Sequence, residues 1–217
     1  MTARTTLAFL LFAALLCLGA CGDDDPVVPP VITPPGHATP DHLVVALRQA
    51  YEDMDPGIYG GVLHADYTML LSPETTQEFP QVGATLDRDA EMRIAMRMFA
   101  GLPVSDSDGN LVPGISNVSF QTLDPQGDWA EVPAGAPFAG SQAGLFDVVI
   151  LCDRPGYSTL KVEGQLQLFA AASDTTIGGQ DFTYWQLSGM RDLTGYLVKD
   201  VATSSLGSVK AMFWVAE

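Results

Sequence analysis

From residue 39 onward the chain changes hydrophobic period once. Leu43, Leu47, Ala50, Tyr51 and Met54 fall at i, i+4, i+7, i+8 and i+11, one face of a helix. Thr39 and Pro40 precede them, a capping hydroxyl and a proline at the first helical position. Asp55-Pro56 opens a second, shorter helix towards Leu63, weakened by Gly57, Gly60 and Gly61. Tyr67 to Leu71 reads as a short strand. A third helix starts around Asp87, with Met92, Ala95, Met96 and Phe99 in line and Gly101 at its end.

After these helices the period falls to two. Leu160, Val162, Gly164, Leu166 and Leu168 alternate with Lys161, Glu163, Gln165 and Gln167, the pattern of a half-buried strand. Phe182 to Met190 and Val209 to Val215 predict further strands, and Leu145 to Leu151 a more continuously apolar one. Asp153-Arg154-Pro155-Gly156 and the segment from Asp174 to Gly179 supply hairpin-type turns. Helices first and strands afterwards predict an α+β domain, with an antiparallel sheet wrapped over the helices.

Ahead of this domain the pattern is of another kind. Arg4 and an apolar run from Leu7 to Leu16 lead into Leu18-Gly19-Ala20-Cys21. The run is short for a membrane-spanning helix, which needs about 20 residues, and matches the apolar region of a secretory signal. The four residues resemble the lipobox of bacterial lipoproteins, in which cleavage leaves a lipidated cysteine at the new amino terminus. That resemblance implies a signal peptide over 1–20, lipidation of Cys21 and membrane attachment through acyl chains. Ordinary secretion with cleavage near Ala20 and an uncleaved anchor are the competing readings. Gly22 rather than aspartate follows the cysteine, which favours the outer over the inner membrane of a bacterial cell envelope. Six prolines between Gly22 and Pro40 predict a polyproline II tether, segment 21–40 with the cysteine, leaving 41–217 as the folded domain. At about 3.1 Å per residue the tether spans roughly 60 Å, and His37 within it is expected to be solvated.

Charge narrows the partners. The net charge of −16 argues against nucleic acid, whose phosphates require Lys and Arg, and against adsorption to anionic headgroups. Of three cysteines, Cys17 belongs to the leader and Cys21 to the lipid, so Cys152 has no intramolecular partner. Between Ile150-Leu151 and Asp153 it reads as a small strand residue, and thiolate metal sites are excluded by number. Asp106, Asp108 and Asn110 sit at the first three ligand spacings of a calcium loop, but Leu111 and Asn117 stand where glycine and glutamate belong. A solvated turn is the better reading, and no metal is expected. Nucleotide-binding loops, serine elbows and zinc-helix motifs are absent, so no cofactor is expected.

The stretch from Leu43 to Leu71, LVVALRQAYEDMDPGIYGGVLHADYTMLL, resembles the opening of the nuclear transport factor 2-like superfamily, which includes the SnoaL-like proteins. The closing stretches WQLSGMRDLTG from Trp185 and SSLGSVKAMFW from Ser204 are similar to those of bacterial lipoproteins bearing that domain. The resemblance covers about 41–217. It implies a cone-shaped α+β barrel, three amino-terminal helices packed in a curved sheet around a pocket. Enzymes of the superfamily place Asp, His or Tyr inside the cone, where apolar surroundings raise a carboxylate's pKa.

Against that frame the candidate pocket residues are His64, Tyr67, Tyr184, Trp185 and Asp192, with Asp66 and Arg191 beside them. Asp66 at a helix–strand junction and Tyr67 in an apolar strand favour structural roles. Tyr184 and Trp185 point to opposite faces, so at most one faces a pocket. Asp192 is suited to cap the following turn or to pair with Lys210. No acid–base pair carries over from a catalytic member, which makes an enzyme the less favoured reading. Three functions remain open. One is a non-catalytic module binding a small apolar ligand or an envelope partner. The others are a structural module that dimerises through its sheet and an isomerase, dehydratase or hydrolase using the cone.

Overall fold

The computed structural model describes residues 36–105, 110–193 and 203–214, so the leader, Cys21 and most of the candidate calcium loop lie outside the described residues. The chain runs through α1 (Pro40–Glu52), α2 (Pro56–Val62), β1 (Leu63–Leu70), α3 (Pro73–Glu78), β2 (Thr85–Asp87) and α4 (Arg88–Phe99). The short hairpin β3 (Val104–Ser105) and β4 (Leu111–Val112) follows. Then come β5 (Asn117–Pro125), β6 (Ala130–Glu131), β7 (Gln142–Asp153), β8 (Leu160–Ile177), β9 (Gln180–Asp192), β10 (Thr203–Ser204) and α5 (Leu206–Met212).

The main sheet is open, in the order β2-β1-β9-β8-β7-β5, with β6 on β7 and β10 on β8. It is curved and unclosed. The long neighbours β5, β7, β8 and β9 are antiparallel, as the period predicts. Strand β1 departs from that pattern and runs parallel to β9. It can do so because nearly the whole sheet separates the two in sequence. The β8–β9 turn is tighter than the sequence suggests: β8 continues to Ile177, and Gly178-Gly179 close the hairpin with φ of +59° and +81°, backbone that glycine adopts without strain.

Each helix starts where a side chain can satisfy its free N–H groups. The Thr39 hydroxyl accepts from His42 N at 3.1 Å, Asp55 from Gly57 N at 2.7 Å and Ile58 N at 3.1 Å, and Asp87 from Ala90 N at 2.8 Å. Helix α1 buries Leu43, Ala46, Leu47, Ala50 and Tyr51 as its period requires. Met54 falls beyond its end, at φ 50°, in the turn to α2. The edge of β5 is covered by α1: Arg48 donates to Phe120 O at 3.0 Å, and Glu52 accepts from Phe120 N at 3.1 Å. These bonds occupy backbone groups that an open edge would present to another chain.

Several parts of the chain differ from the sequence reading, among them the unpredicted helix α3 and the start of β1 at Leu63 in place of Tyr67. The segment expected as a strand from Val209 to Val215 is the helix α5, with residues 215–217 outside the described part. Its alternation of apolar and other residues mimicked period two, but every residue from Leu206 to Ala211 is buried. A helix enclosed on all sides loses the one-sided pattern by which it is recognised. Helix α4 turns a different face inward, Ala90, Glu91, Ile94, Ala95 and Met98, while Met96 is 49% exposed. Strand β5 was unmarked, since Asn117, Ser119, Gln121 and Thr122 disguise an inner face of Val118 and Phe120. His37, expected to be solvated, is half-buried and exchanges two main-chain bonds with Trp185, at 3.2 and 2.7 Å. The packed part of the chain therefore reaches back to Gly36, ahead of the predicted boundary at 41.

Candidate functional site: a sealed charge in the cone

Helices α2 and α4 and strand β1 meet α5 around the side chain of Lys210, with α1 beside them. Tyr51 from α1 and Tyr59 from α2 meet edge-to-face with ring centroids 5.3 Å apart, and Phe99 stands edge-on to both, at 5.5 and 5.8 Å. Strand β1 adds Tyr67 and Met69, and α4 adds Glu91. Into this aromatic chamber α5 inserts Lys210. Its ammonium forms an ion pair with Glu91 Oε1, and both side chains are 0% exposed. The same ammonium lies 3.3 Å from the Tyr59 hydroxyl and 3.6 Å from Met69 Sδ. It also sits 5.8 Å from the ring centroids of both Tyr51 and Tyr59, within cation–π range. Tyr59 in turn donates to Glu91 Oε1.

The electrostatics follow from the enclosure. Burial, the largest single influence, lowers the Lys210 pKa, but the Glu91 charge, with Tyr51, Tyr67 and the hydrogen bond to Glu91, together outweigh it, and the net shift is upward. Lys210 is held as the ammonium. Burial first, and the Glu91 charge second, push the Tyr59 and Tyr67 hydroxyls well above the usual tyrosine range. Burial also raises Tyr51. The Tyr67 hydroxyl feels Glu91, Lys210 and Tyr59, yet meets none of them in hydrogen-bond geometry, and Glu91 Oε2 is likewise unpartnered.

A second polar layer fixes how α5 enters. Asp192, 1% exposed at the end of β9, accepts from Gly207 N at 2.6 Å. Asp192 was expected to cap the turn that follows it or to pair with Lys210; residues 194–202 lie outside the described ones, the Asp192 bond described runs to α5, and Lys210 pairs with Glu91. Ser205 caps α5 by accepting from Ser208 N at 2.8 Å. The Thr75 hydroxyl of α3 contacts those of Ser205 at 2.9 Å and Ser208 at 3.2 Å, and Ser208 donates to Glu78 Oε2 at 2.9 Å. A Cβ on Gly207 would lie 2.9 Å from Asp192 Oδ2 and 3.0 Å from Thr75 Oγ1. Glycine lets α5 seat this deeply without displacing those side chains.

The structure scatters the predicted site residues. Tyr67 joins the buried cluster and Asp192 the α5 cap. Trp185 packs partly buried against the core, whereas Tyr184 lies beside Gly36, on the other side of the strand. His64 is partly exposed; its Nδ1 accepts from Asp66 N at 3.1 Å, and the Asp66 side chain is 92% exposed. Arg191 lies over the Phe169 ring. The sequence reading did not single out Glu91 or Tyr59. Glu91 did carry a signal: it shares the helical face of Ile94, Ala95 and Met98, where a carboxylate needs a buried partner. Cys152 is buried, as its setting suggested, and burial pushes its thiol up to about 12. Among the described residues no group of three His, Cys, Asp or Glu side chains could hold a metal ion.

Chemically this interior is closed. Its cation and its anion neutralise one another inside apolar walls. In fold, the chain is similar to a nuclear transport factor 2-like protein of unknown function in nutrient uptake from Rhodospirillum rubrum (14% identity, 69% of this chain and 92% of that one, TM-score 0.38). It is also similar to a protein with a ketosteroid isomerase-like fold from Catenulispora acidiphila (18% identity, 80% and 92%, TM-score 0.36). A third neighbour, of unknown function, comes from Mycobacterium tuberculosis (14% identity, 80% and 83%, TM-score 0.42). At these identities the likeness is one of fold alone. No family model matches the chain, and no curated protein does.

Proposed function

We propose that this chain is a lipid-anchored protein of the bacterial cell envelope whose nuclear transport factor 2-like domain is a non-catalytic binding module. Its partner is an envelope protein, met by the outer face of the sheet. The observation that carries this reading is α5: the helix is buried along Leu206 to Ala211, and its lysine is committed to Glu91. An acid or base must reach a substrate proton to act, and Glu91, at 0% exposure, has no such reach. On the opposite side of β7, Leu145, Val149 and Leu151 are only partly buried, beside Asp147 and the polar residues of β8. That mix of apolar and polar side chains is typical of non-obligate interfaces. The lipobox and tether support an anchored domain held out from the bilayer.

In-cell photocrosslinking of the full-length chain tests this. Photoreactive residues at Val149 and Leu151 should give protein adducts in the membrane fraction, and one at the exposed Val45 of α1 should not. Cys21→Ser should leave unprocessed precursor and abolish labelling by a palmitate analogue. Labelling that persists in Cys21→Ser would refute the anchor, and adducts equal at all three positions would refute the interface.

A further inference from the structure

The groups around the Lys210 ammonium come from α1, α2, β1 and α4, and none comes from α5 itself. Without Lys210 the same walls would present one carboxylate, two tyrosine faces, a tyrosine hydroxyl and a thioether. That set matches an organic ammonium: a charge-assisted bond to Glu91, ring quadrupoles from Tyr51 and Tyr59, and a soft contact from Met69. A structural ion pair alone needs no such surroundings, since apolar side chains of equal volume commonly serve as well. Nor does Lys210 exhaust the chamber, because Glu91 Oε2 and the Tyr67 hydroxyl are buried and unpartnered.

We infer that the cone of this protein is a binding site for a small primary alkylamine, and that Lys210 occupies it from within the same chain. Helix α5 is then a tethered occupant. Its ammonium meets the cage at the high effective concentration of an intramolecular ligand, and a free amine gains access only as α5 leaves its seat between Asp192, Thr75 and Ser205. This holds whether or not the outer sheet face meets a partner.

The probe is n-propylammonium, the fragment that Lys210→Ala removes. In the full-length Lys210→Ala chain it should raise the thermal unfolding midpoint saturably, whereas 1-propanol and sodium chloride at equal concentration should not. Where Lys210→Ala does not fold alone, recovery of folded protein on refolding with n-propylammonium, and not with 1-propanol, is the same result. Glu91→Gln combined with Lys210→Ala should abolish the response. Lys210→Met keeps the stem that fills the cage and should not respond. The inference is overturned if n-propylammonium neither stabilises Lys210→Ala nor restores its folding. It is also overturned if the response survives Glu91→Gln or is as large in Lys210→Met.

Discussion

Among the described residues, two lysine–glutamate pairs stand in opposite settings. Lys161 and Glu163 sit two residues apart on the same side of β8, with side chains 44% and 50% exposed. Lys210 and Glu91 lie 119 residues apart in sequence and are wholly enclosed. In water the first pair is screened and its long side chains lose entropy when they meet, so its net worth is about 0–1 kcal/mol. The second pair is not screened, but both charges have given up hydration, and either charge alone would be left buried without compensation. The same two residue types thus decorate one site and lock another. Solvent, not chemistry, makes the difference.

Removing one charge from the buried pair should produce the largest effect. Glu91→Ala or Lys210→Ala is expected to lower stability by about 3–5 kcal/mol in urea unfolding, while Glu91→Leu with Lys210→Met together should be near neutral or stabilising. A double replacement as damaging as either single one would mean that the chamber depends on charge and not on volume.

The pH dependence sharpens the contrast. Lys210 has a raised folded pKa, so the stability it contributes is complete below the unfolded lysine value of about 10.4 and is lost as pH climbs towards the higher folded value. Tyr51, Tyr59 and Tyr67, raised chiefly by burial, act with the same sign from about pH 10. Stability should therefore fall on the alkaline side from about pH 10, and replacing the three tyrosines by phenylalanine should move that limb upward.

A smaller loss is expected where α5 is seated. Gly207→Ala forces its Cβ against Asp192 and Thr75 and should lower stability by about 1–3 kcal/mol, read from the urea midpoint at unchanged slope. Smallest is the surface pair: Lys161→Ala should change stability by about 0–1 kcal/mol, an effect that vanishes in high salt. A cost for Lys161→Ala comparable to that of Lys210→Ala would break the comparison.

Much of the framework was legible because its determinants are local. Thr39, Asp55 and Asp87 placed the starts of α1, α2 and α4, whereas α3 and α5, capped by Ser72 and Ser205, went unread as helices, and the Gly178-Gly179 hairpin lies within the predicted turn. Strand β5 was missed because its polar positions outnumber Val118 and Phe120, whose burial depends on β7 and on the Arg48–Glu52 clamp. Helix α5 was misread because a fully enclosed helix has no solvent face to mark its period. Of the predicted pocket residues, only Tyr67 belongs to the buried charge cluster, since strand alternation says which side a residue faces but not what waits there.

The sequence by itself determined the caps of α1, α2 and α4, the β8–β9 turn, the strands β7, β8 and β9 and the apolar face of α1, each encoded within a few residues. It also carried the lipobox-like stretch and the acidic balance of the chain. Tertiary structure alone decided that Lys210, one charge in an apolar run, would meet Glu91 inside a ring of tyrosines. No local pattern encodes that meeting. The two residues are far apart in the chain, and the low-dielectric surroundings that make their pairing necessary exist only once sheet and helices have closed around them.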